Sequence, residues 1–112
     1  MKDFVQVYTA TETRAAAVAL GRGATKARLA AGVQVVGPVV SFFWHQGKFG
    51  EGEEWQVVFK TTAGRYPELE AHLLEHHPWT NPEITAIPMA TGSQPYLDWI
   101  RRTVEAPGES PA

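Results

Sequence analysis

The sequence contains no cysteine, which excludes disulfides and thiolate metal sites and fits a reducing compartment. It also lacks an excess of either charge, since ten Lys and Arg stand against twelve Asp and Glu for a formal net charge of -2. The basic face that nucleic-acid binding needs is therefore not expected. No apolar run approaches the roughly 18 residues that cross a bilayer, and Met1 to Asp3 lead straight into a strand pattern instead of a signal peptide. These absences point to a cytoplasmic protein without membrane or nucleic-acid partners. Also missing are a nucleophile with an evident base, a carboxylate pair at acid–base spacing and a glycine loop following a strand. The string GRGATK at Gly21–Lys26 has the wrong spacing for a phosphate loop and lies in a helical pattern. No enzymatic activity is expected.

What is present suits one small domain. A chain of 112 residues buries about two thirds of its unfolded surface, enough for a modest core. A single domain is expected over 1–104, with a flexible polar tail over 105–112. Phe4 to Ala10 is short and rich in β-branched and aromatic residues, hence a strand. Glu12 to Ala31 is Ala-rich and reads as a helix capped by Thr11 or Thr13, its small residues Gly21 and Gly23 letting it lie close to a sheet. Val33 to Trp44 is a long strand pattern broken by Gly37 and Pro38, the mark of a bulge or bend. Gln46–Gly47 offers a turn into a third strand over Trp55–Thr62, with Trp55, Val57 and Phe59 on one face and Gln56, Val58 and Lys60 on the other. Pro67 opens a helix whose Tyr66, Leu69 and Leu73 form an apolar stripe. Glu83 to Ala90 reads as the fourth strand, in which Pro88 points to an edge or a bulge. Pro95 starts a last helix that runs to about Val104.

The order is β-α-β-β-α-β plus a C-terminal helix, an α+β ferredoxin-like arrangement with helices on one face of an antiparallel sheet. That arrangement leaves Val58 and its neighbours on the opposite face. Left in water they would form a larger apolar patch than monomers usually tolerate, so self-association is expected.

Candidate chemistry centres on HHPWTNPEI, His76–Ile84. Pro78 stops the preceding helix near His77, and Pro82 stiffens the path into the next strand. A rigid corner positions side chains cheaply. His72 and His76 share a helix face at i, i+4, a spacing that can chelate one ion and that also suits an ordinary solvated face. His77 stands where free carbonyls favour a donor, so a helix C-cap role and ligation are equally open to it.

The same stretch resembles the CutA family of divalent-cation tolerance proteins, whose His-Pro-Tyr and Pro-Glu-Ile pattern appears here as His77, Pro78, Trp79 and Pro82, Glu83, Ile84. RLAAGVQV at Arg28–Val35, SFFWHQGK at Ser41–Lys48, EWQVVFKT at Glu54–Thr61 and YLDWI at Tyr96–Ile100 resemble further family blocks, in order and at family spacing. The resemblance implies a trimer of PII-like architecture, its long second and third strands reaching across to a neighbour. Phe42, Phe43, Trp44, Phe49 and Trp55 would then anchor the subunit contacts.

The resemblance also implies a role in tolerance or response to divalent metal ions, copper among them, with weak cation binding and no obligatory cofactor. Carried over position by position, His77, Glu54 and Glu83 are the candidate ligands of Cu(II) or another divalent cation. The family's Cys position is Gly32, so the softest donor is absent and affinity should fall and shift toward borderline ions. A second set, Tyr8, Lys60, Trp79, Tyr96 and Trp99, matches family motifs and is expected to line a cleft. Lys60 there needs a carboxylate, with Glu54 and Glu83 as candidates. The alternative reading is a PII-like signalling or scaffold trimer that binds a metabolite or a partner protein between subunits.

Overall fold

Eight residues, Phe4–Thr11, form β1, with Val5, Val7 and Thr9 turned inward. The computed structural model describes residues 3–105, so most of the expected tail lies outside the described residues. Thr13 caps α1 (Arg14–Lys26), its hydroxyl accepting the Ala16 N–H at 3.1 Å. The helix is therefore shorter than expected. It ends at Lys26 because Arg28 takes a left-handed φ of 57° and Leu29 N–H turns back to Ala24 O at 3.0 Å. β2 (Gly32–His45) and β3 (Lys48–Thr62) follow, joined through Gln46 and Gly47 at φ 52° and 77°. α2 (Tyr66–His76), β4 (Thr85–Pro88) and α3 (Gln94–Glu105) complete the chain. Glu105, assigned by sequence to the tail, is the last residue of α3.

The sheet has the order β2-β3-β1-β4 with every pair antiparallel. β4 spans less than Glu83–Ala90 because it pairs only with Val5–Tyr8 of β1. Its other side is an edge, where Pro88 lacks no ladder partner. The β2–β3 register slips between Val36 and Val39, the irregularity that Gly37 and Pro38 lead one to expect.

α1 and α2 cover one face, where Val7, Val57, Phe59, Leu69 and Leu73 are wholly buried in one cluster. Removing such side chains from water contributes about 1.5–3 kcal/mol each. Gly21 sets the approach of α1, since a Cβ there would lie 2.9 Å from Val33 Cγ1. The expectation that all helices share that face needs correction. α3 packs on the opposite side, where Ile100 and Val104 join Ala31, Phe4 and Met89, and the Arg101 guanidinium sits 4.9 Å over the Phe4 ring.

The bare Val58 patch expected from the sequence is absent from the described fold, for Val58 is buried at 9 % exposure. Its cross-strand neighbours Tyr8 and Gln34 flank it. Apolar surface is exposed elsewhere. β1 stops pairing at Trp55, so β2 and β3 continue alone as a two-stranded arm from Val39 and Glu54 to the turn. On one face of this arm Val40, Phe42, Trp44 and Phe49 stand 61–75 % exposed. Phe42 stacks on Phe49 with centroids 6.3 Å apart, and Trp44 meets the same ring edge-on at 5.9 Å.

Candidate functional site

The corner after α2 is built around one imidazole. His77 closes the helix through its N–H to Leu73 O at 2.8 Å and turns extended at φ -70°, ψ 138°, the region that a following proline favours. Its ring is buried. Nε2–H donates to Ala10 O at 2.8 Å, tying the corner to the end of β1. Nδ1 accepts the Trp79 N–H at 3.0 Å. A carbonyl on one nitrogen and an N–H on the other select the Nε2–H tautomer. Burial holds its pKa below the ordinary histidine value, against the opposing pull of the Ala10 carbonyl. The ring is neutral and structural.

Trp79 continues from His77 with ring centroids 5.3 Å apart and forms one wall of a cleft of about 870 Å³. The arm supplies the other wall through Phe43, Trp44 and His45, and Glu12, Glu51, Glu53 and Glu54 make the lining acidic. Sequence reasoning missed Glu12, Glu51 and Glu53 here. The run Glu51-Gly-Glu-Glu on a strand was the available signal, and its meaning depends on how the arm is directed.

The three carried-over ligands do not form a site in one chain. Glu54 accepts from Ser41 Oγ at 2.8 Å and Glu83 from Thr85 Oγ at 2.9 Å. Among the described residues no three His, Asp or Glu side chains gather as a metal-ligand set. His77 offers no free lone pair, because both ring nitrogens already have partners. Gly32 provides no donor, and a Cβ there would sit 3.4 Å from Trp99 Cη2. A divalent ion at His77 therefore does not fit the bonds this chain makes.

The second expected set is also divided. Trp79 faces the arm cleft, whereas Trp99 lies over Gly32, which pairs with Lys60 across the β2–β3 ladder. Tyr96 accompanies Trp99 at 5.4 Å between centroids. Lys60 donates to Gln34 Oε1 at 2.6 Å, not to Glu54 or Glu83, because its direct neighbours across the sheet carry no carboxylate. Tyr8 donates to Gln6 Oε1 at 3.0 Å. Of the five expected contact aromatics, Phe42, Phe43, Trp44 and Phe49 are exposed on the arm. Trp55 instead packs on the core under α1 and α2, beneath Gly37, where a Cβ would meet its ring at 2.7 Å.

Fold and site together define a ferredoxin-like α+β protein with an extended aromatic β2–β3 arm. A model of the CutA1 divalent ion tolerance protein family matches residues 5–103. The divalent-cation tolerance protein CutA of Thermus thermophilus is 36 % identical over 101 residues, covering 90 % of this chain and 96 % of the relative. That of Archaeoglobus fulgidus is 38 % identical over 78 residues, covering 70 % and 76 %. Among solved structures, CutA from Archaeoglobus fulgidus superposes with a TM-score of 0.88 at 31 % identity, covering 91 % of this chain and 99 % of its own. CutA from Xylella fastidiosa gives 0.89 at 28 % identity, covering 92 % and 99 %. The chain belongs to the CutA1 family.

Proposed function

We propose that this chain acts in divalent-cation tolerance as a homotrimer and has no catalytic activity of its own. The observation that carries the reading is the arm: four large apolar side chains share one face of a two-stranded ribbon and stand in water. Ribbons of two strands are marginal by themselves, and core-like side chains on one are covered most economically by further copies of the same surface. Closing three copies over these arms would bring the acidic cleft of one chain against its neighbours, giving oxygen and nitrogen donors a second wall. Contact with Cu(II) or another divalent cation is part of the reading and is weak, because no thiolate is present. The relatives' names favour this reading over a signalling trimer.

The test is growth of a strain lacking its own family member in elevated Cu(II). Wild type restores growth and a Phe42→Glu/Phe49→Glu double variant does not. Growth indistinguishable from the empty vector for wild type rejects the reading. Cytoplasmic residence is a further part of the proposal. The Archaeoglobus fulgidus structure is described as that of a periplasmic protein, so recovery of this chain in a periplasmic fraction would overturn the cytoplasmic assignment.

A further inference from the structure

The donor pair with free nitrogen lies one turn before the corner. His72 and His76 stand one helical turn apart on α2, His72 half-buried and His76 exposed, with ring centroids 4.2 Å apart and planes inclined by 31°. His76 Nδ1–H donates to His72 O at 2.8 Å. That bond orients the ring and leaves Nε2 as the lone-pair nitrogen, the arrangement by which protein carbonyls commonly hold a metal-binding imidazole in place. His72 is held from the other side, where a Cβ on Gly23 of α1 would approach its Nε2 at 3.4 Å. A glycine there leaves the His72 ring its room against α1. His77, one residue after His76, is occupied at both nitrogens. The two neighbouring histidines thus have opposite chemistry.

We propose that His72 and His76 together chelate one divalent transition-metal ion through their imidazole nitrogens, water completing its coordination. Neutral imidazoles at i, i+4 on one helix span a single ion, and nitrogen donors rank Cu(II) above Ni(II) and Zn(II). The site lies on a single chain, so it does not depend on the tolerance reading or on assembly.

The experiment is calorimetric titration of the full chain with Cu(II), Ni(II) and Zn(II) chlorides at pH 7.5, for wild type and for His72→Gln, His76→Gln, His77→Gln and His45→Gln. The expected result is one site per chain, tightest for Cu(II), weakened at least ten-fold by His72→Gln and by His76→Gln and little changed by His45→Gln. As a second readout, substoichiometric Cu(II) should broaden the ring proton resonances of His72 and His76 in wild type before those of His45 on the arm. Isotherms unchanged in both helix variants, or binding lost only with His77→Gln or His45→Gln, would overturn the proposal. Light scattering on the same samples separates this outcome from failure of the trimer, since both histidines lie on α2 of one chain.

Discussion

The body and the arm of this molecule carry the same kind of apolar side chain and treat it in opposite ways. Phe59, between α1, α2 and the sheet, is fully buried, while Phe42 and Trp44 on the arm are 63 % and 75 % exposed. Both belong to the β2–β3 pair. The difference lies in what flanks them. Phe59 has β1 beside it and helices above it, whereas the arm has outrun β1 and both helices. A pattern that reads as core in sequence can therefore stand on the surface of the chain.

The comparison can be sharpened by cutting into the body. Phe59→Ala should cost about 3–5 kcal/mol, read as a lower urea midpoint with an unchanged slope. His77→Ala should cost less, about 1–3 kcal/mol, because it leaves Ala10 O and the Trp79 N–H without partners in a buried place. Acidification probes the same imidazole. Burial lowers its folded pKa below the ordinary value of about 6.5, so the unfolded chain binds the proton first. Stability is then full above about pH 6.5 and falls as pH drops toward the folded pKa. A melting series from pH 7.5 to 5 should show that decline in wild type and a shallower one in His77→Gln; equal slopes would remove His77 as its source. The smallest effect is a gain. Thr9 Oγ is buried without a hydrogen-bond partner, and Thr9→Val should stabilise by about 1 kcal/mol, seen as a raised melting temperature.

The body was largely legible in the sequence. Strand alternation at Val57 and Phe59, the break at Gly37–Pro38 and the edge placement of Pro88 rest on local chemistry, and local chemistry decides them. α3 was legible as a helix but not in its position, because the loop after β4 determines which sheet face it reaches. Trp55 was grouped with the arm by proximity in sequence. Its alternation with Val57 and Phe59 on β3 sets it against the core instead. The site was less legible than the fold. That His77 sits at a stiff corner follows from Pro78. That Trp79 N–H occupies Nδ1 is local, but that Ala10 O occupies Nε2 requires a contact across 67 residues that no spacing records. Lys60 was assigned a carboxylate from charge alone, but the register placed Gln34 within reach.

The most direct measurement of the central claim is light scattering of the wild-type chain at micromolar concentration, alongside circular dichroism to confirm folding. Burial of the arm between copies predicts a particle of three chain masses, reduced in Phe42→Glu/Phe49→Glu. A folded particle of 12.3 kDa would contradict it.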